Sequence, residues 1–134
     1  MQRIVLDTNS LIQSFPSHSK YHSVWESLFD GRNWLCVSTA ILDEYMEILQ
    51  RLTSKEVAQT VVDAILKNRY TVYIDPHFNM ELIEQDKDDN KFVDCAFAAN
   101  AKYIVTNDHH FDVLKTIPFP EIEVITLQDF LVTL

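Results

Sequence analysis

A chain of 134 residues with 47% hydrophobic content is long enough to bury one core and too short for two independent ones, so a single domain over residues 1–134 is expected. Twenty acidic residues against eleven basic ones give a formal charge of −9, which excludes a generic nucleic-acid coat, because phosphate binding needs a basic surface. An enzyme whose carboxylates hold divalent cations remains open, since such ions reverse the local sign of the field.

The stretch RIVLDTNSLI, residues 3–12, opens with an aliphatic run that reads as a strand buried on both faces, and the polar triplet after it reads as the strand's end. Asp7 is thereby placed at a strand tip. TNSLIQSF reads as a short helix, and residues 21–29 as another with Val24, Trp25, Leu28 and Phe29 inward. After the turn at residues 30–33, WLCVS (34–38) reads as a second strand, and the periodicity from Thr39 to Leu52 predicts a helix. Thr53 with Glu56 fits a capping box that opens a further helix to about Lys67. TVYID (71–75), closed by Pro76, is the third strand. FVDCAFAANA forms a helix leading to a fourth strand, YIVTND, and IEVIT (122–126) is a fifth before a short terminal helix at 127–134. Strands alternating with helices give the α/β class: a central parallel sheet of about five strands flanked by helices on both faces.

Asp7 and Asp108 both end predicted parallel strands, the edge at which open α/β sheets bind ligands, although helix capping accounts for an aspartate there as well. On the helix from Thr39, an apolar arc of Ile41, Tyr45, Ile48, Leu49 and Leu52 carries Glu44 on its edge, while Asp43 and Glu47 point to water. Glu44 has no lysine or arginine three or four residues away, so a metal ion fits as its partner unless it simply stays solvated. In DKDDNKFVDCAFA, the helix has Phe92, Val93, Ala96, Phe97 and Ala99 inward; Asp86 and Asp88 suit capping and a solvated acidic loop, whereas Asp89 in the first turn and Asp94 one turn further along are less readily accounted for that way.

In this order, Asp7 in IVLDTNSLI, Glu44 in STAILDEYMEIL, the cluster DKDDNKFVDCAFAANA and Asp108 in KYIVTNDHHF, the chain resembles the PIN domain family of small metal-dependent ribonucleases, from residue 3 to about residue 130. In detail it looks most like the family's toxin components of toxin–antitoxin systems. The resemblance implies a single PIN-like domain that cleaves single-stranded RNA, a Mg²⁺ or Mn²⁺ cofactor, a cognate antitoxin protein and a homodimer. It also implies an acidic quartet, whose third member falls by the family's spacing on Asn90, an amide able to coordinate a hard cation without adding charge. Asp89 or Asp94 would then supply the missing carboxylate. The ligand candidates are therefore Asp7, Glu44, Asp89, Asn90, Asp94 and Asp108, with Thr8, Asn9, Ser10 and Thr106 as hydrogen-bonding support. Asn90 also motivates an alternative, a catalytically weak PIN-like module acting through a protein partner.

Other chemistries find little support. A single glycine excludes the phosphate-binding loop, the dinucleotide fingerprint and the hydrolase elbow. His18 and His22 have helical zinc-pair spacing but no third ligand nearby, and His109–His110 read as an exposed helix start. Trp25, Trp34 and Tyr21 could stack bases, although core or dimer packing suits their spacing better. The basic residues are scattered, which favours single-stranded RNA over duplex. Cys36 and Cys95 lie far apart in apolar segments and are expected as buried free thiols of a cytoplasmic protein with neither signal peptide nor membrane span.

Overall fold

The computed structural model describes residues 1–76, 81–83, 87–118 and 121–134, so Asp86 lies outside the described residues. Five parallel strands form one sheet in the order β3-β2-β1-β4-β5: β1 (Gln2–Leu6), β2 (Asn33–Val37), β3 (Val72–Tyr73), β4 (Tyr103–Val105) and β5 (Glu123–Ile125). Central position explains the composition of β1, since Ile4, Val5 and Leu6 are fully buried and both faces of such a strand must be apolar. In register, Ile4 lies beside Leu35 on one side, and Val5 and Leu6 lie beside Ile104 and Val105 on the other.

The connections are helical. α1 (Thr8–Ser14) and α2 (His22–Ser27) link β1 to β2, and α3 (Thr39–Leu52) and α4 (Lys55–Lys67) link β2 to β3. A 3-10 turn, Lys87–Asp89, runs directly into α5 (Asn90–Ala99), which returns the chain to β4, and a 3-10 helix, His109–Thr116, precedes β5 and α6 (Leu127–Val132). The chain thus steps outward from β1 to β3, then jumps back across β1 to β4. The reversal leaves a crevice at the carboxyl ends of β1 and β4.

Several local expectations need adjustment. The third strand is only Val72–Tyr73, although Ile74 still donates its N–H to Val37. Ser54, not Thr53, caps α4: its hydroxyl accepts from the Val57 N–H at 3.1 Å, while the Thr53 hydroxyl turns back to the Leu49 carbonyl of α3. Glu56 is then one residue short of the position a capping box requires, and acts only as a negative charge in the first turn. On α3, Ile41, Tyr45 and Leu49 are buried as the arc predicts, but Leu52 is 60% exposed because the helix ends there beyond the core. Trp25 packs against Phe15 and Phe29, and Trp34 against Tyr70. Among the described residues, no helix is long and apolar enough to cross a membrane.

Cys36 and Cys95 are free and buried; desolvation pushes their thiols up to about 11 and about 12. Both should therefore stay protonated at pH 8 and react with an aromatic disulfide reagent only as fast as the protein unfolds; rapid labelling of the native chain would contradict this burial. Replacing the α4 cap, Ser54→Ala, is expected to lower stability by about 1 kcal/mol in urea denaturation, with folding otherwise intact.

Candidate functional site

Both strand-end aspartates cap the helix immediately after them, and both also face the crevice. Asp7 caps α1, its Oδ1 accepting from the Ser10 N–H at 2.8 Å, and its other oxygen accepts from the Thr106 hydroxyl. Asp108 caps the 3-10 helix through the His110 N–H at 2.9 Å. The same Thr106 hydroxyl accepts the Asp108 N–H at 2.9 Å, so a single side chain at the end of β4 ties both acidic positions together. Asn107 meanwhile accepts the Leu127 N–H at the start of α6. All three polar residues after β4 thus have distinct tasks.

Glu44 arrives from α3, whose position is set by its neighbour Tyr45. The Tyr45 hydroxyl, fully buried, donates to the carbonyl of Leu6 at 2.7 Å and pins the helix to the end of β1. Asp7, Thr8, Asn9, Glu44, Asp88, Asp89 and Asp108 consequently line one groove of about 390 Å³, with Ile48, Arg51, Leu52 and Phe92 as the rest of its wall. The charge partner that the local sequence denies Glu44 comes from α5: Lys91 Nζ lies 2.7 Å from Oε1, and the Thr8 hydroxyl donates to Oε2.

The cluster around residue 90 separates into three directions. Asp89, at the end of the 3-10 turn, lines the groove. Asn90 turns inward, its Oδ1 accepting from the Ile83 N–H and its Nδ2 donating to the Ile83 carbonyl, both at 2.9 Å. Asp94, buried one turn later, lines a neighbouring hollow with Ser38, Thr39, Asp43 and Asp75. The structure therefore brings together Asp7, Glu44, Asp89 and Asp108, and leaves Asn90 and Asp94 outside that groove. Asp88 is exposed at its rim.

His110 joins the set. Its Nδ1 is 3.5 Å from Asp108 and 3.9 Å from Asp89, and ligand atoms of these three residues lie within 4.8 Å of one another. Reading His109–His110 only as an exposed helix start misses this, because both statements hold: His110 is exposed and still faces Asp89 across the crevice. Among the described residues, His18 and His22 belong to no such group.

Asp7 is the electrostatic centre of the groove. Burial to 6% exposure raises its carboxyl above the usual aspartate range, against the lowering effect of the Thr106 and Ser10 hydrogen bonds, and Asp108 adds repulsion. With the folded pKa above the unfolded one, the native state holds its proton longer, so stability is lost as pH rises through that interval. At neutral pH without metal, Asp7→Asn is therefore expected to raise the melting temperature, since asparagine still caps α1; the gain should shrink as pH falls toward 3.8, the ordinary aspartate value. Thermal melts in EDTA across pH check this, and a variant that melts lower at pH 7 would contradict it.

Comparison with known proteins agrees with this architecture. A family model described as a PIN domain matches residues 3–110, and no curated protein matches. Among solved structures, VapBC2 from Rickettsia felis is 21% identical with a TM-score of 0.64, over 92% of this chain and 98% of the other. VapC20 of Mycobacterium tuberculosis, a toxin that cleaves the sarcin–ricin loop, is 16% identical with a TM-score of 0.57, over 89% and 98%. The PIN domain of human SMG5 is 14% identical with a TM-score of 0.57, over 98% and 97%. With the family model spanning most of the chain and the acidic groove at the switch point of its sheet, this chain belongs to the PIN domain family.

Proposed function

We propose that the chain is a metal-dependent endoribonuclease acting on single-stranded RNA, and the toxin of a toxin–antitoxin pair. The observation that carries the reading is the convergence of Asp7, Asp89 and Asp108, with Glu44 beside them, in one groove at the carboxyl edge of the sheet. Carboxylate oxygens are hard donors that suit Mg²⁺ or Mn²⁺, and three carboxylates leave positions for water and a substrate phosphate. Such an ion, when bound, supplies an activated water and neutralises charge on the phosphate.

The remaining work falls to the chain itself. Thr106 holds Asp7 and Asp108 in fixed orientation, as outer hydrogen bonds to ligating carboxylates do. The pair of Tyr45 with Leu6 keeps α3 and Glu44 at the edge of the groove. Ile48 and Leu52 offer an apolar rim against which an unstacked base can rest, a mode that tolerates the negative surface better than duplex binding does.

Fold likeness to VapBC complexes, and to a toxin that cleaves the sarcin–ricin loop, supports both the toxin role and the antitoxin partner. The alternative of a non-catalytic module draws its motive from Asn90. With the Asn90 amide occupied by Ile83 and Asp89 at the groove, the chain has no need of a ligand at position 90.

The reading is tested by incubating a mixed single-stranded RNA with wild type and Asp7→Asn in Mn²⁺, Mg²⁺ or EDTA. Cleavage should require the metal and fall about 100-fold or more in the variant. Cleavage that persists in EDTA, or is unchanged by the substitution, would overturn it.

A further inference from the structure

Lys91 is one of the few cations near the groove, and it is committed. Its ammonium lies 2.7 Å from Glu44 Oε1, with both side chains only about a fifth exposed. The second oxygen of Glu44 accepts from Thr8, so each of its oxygens already has a donor from the chain. Asp89 and Lys91 stand two residues apart at the start of α5, and this one helix start sends the carboxylate into the groove and the ammonium to Glu44 from the adjoining hollow. Independently, among the described residues, the ligand atoms that come within 4.8 Å of one another belong to Asp89, Asp108 and His110; Asp7 and Glu44 both stand outside that group, but Asp7 is held by the neutral donors Ser10 and Thr106, whereas Glu44 is held by a cation.

From these two observations we infer that Lys91 takes the place of a second divalent cation: it keeps Glu44 as a fixed ion pair outside the ligand set, and the groove holds one ion. The inference rests on the metal-dependent reading above. A primary ammonium fits this part because it is a compact point charge with three donors. Being mostly withdrawn from water, the pair is poorly screened by salt, and a divalent ion approaching Glu44 from the groove would be repelled by the ammonium already held at its Oε1. Lys91 is thus a positioning residue, acting through Glu44.

Manganese stoichiometry, read by electron paramagnetic resonance of free Mn²⁺ with the full chain, tests it without any assay of cleavage. Wild type and Lys91→Arg should bind one ion per chain, and Lys91→Met two. The charge-conserving double variant Glu44→Gln with Lys91→Met should bind one ion with a Kd within about threefold of wild type, because coupled neighbours removed together leave the site's net charge unchanged. A single ion in Lys91→Met, two in wild type, or a loss of affinity beyond about tenfold in the double variant would each overturn the inference. No ion in wild type would instead remove the metal-dependent reading itself, and the inference with it. Should Lys91→Met fail to fold, the double variant, which leaves no carboxylate stranded, decides alone.

Discussion

A carboxylate at the end of a fully buried strand must be held by donors, because desolvation favours its neutral form, and at Asp7 those donors are the Ser10 N–H and the Thr106 hydroxyl. The groove depends on this arrangement. β1 has to be apolar on both faces to occupy the middle of the sheet, so the first polar residue after it is delivered to the crevice where the strand order reverses. Thr106 reaches the same place from β4 because Leu6 and Val105 are in register, and the bond between Asp7 and Thr106 continues the pairing one step beyond the strands. Capping and metal-site geometry are not rival accounts of these residues. The side chain that ends a strand and starts a helix is also the one that a switch point turns toward its ligand.

Much of this is legible from the residues alone. Ile4 to Leu6 announce a central strand, the polar triplets place Asp7 and Asp108, and the arc on α3 singles out Glu44 over Asp43 and Glu47, which are exposed. The chain's resemblance to PIN domains in the order of these acids agrees with the family match. Direction at the start of α5 is not legible in the same way. Successive residues on a helix differ by about 100°, so a spacing rule that errs by one residue selects a side chain facing elsewhere. The 3-10 turn at Lys87–Asp89 decides the phase, and it sends Asp89 to the groove and Asn90 to Ile83. Lys91 is invisible as a partner for Glu44 to any rule based on neighbouring helix positions, because the two are 47 residues apart. The cap of α4 is ambiguous for a similar reason: Thr53 and Ser54 are equally able to cap, and only the course of the backbone chooses.

Net charge also takes on a different meaning in the structure. Averaged over the surface, a charge of −9 repels nucleic acid. Asp7, Glu44, Asp89 and Asp108, all contributing to it, face one groove, where a divalent ion would turn repulsion of phosphate into attraction, while Lys91 is already engaged and Arg51 bonds to Glu47 on its own helix. Attraction for a phosphate group would then be concentrated at that ion rather than spread along a basic face.

The hydrogen bond from Thr106 to Asp7 joins residues 99 positions apart, and every strand pairing around it is parallel and long-range. Closing so large a loop is slow compared with forming α3 and α4, which pack on each other locally. During synthesis, β1 emerges first and waits for β4, with most of the chain between them, before its second edge can be covered. A nascent chain therefore carries Asp7 long before it carries Thr106 or Asp108, and the acidic groove is among the last features to be assembled. The groove cannot exist until synthesis has passed Asp108.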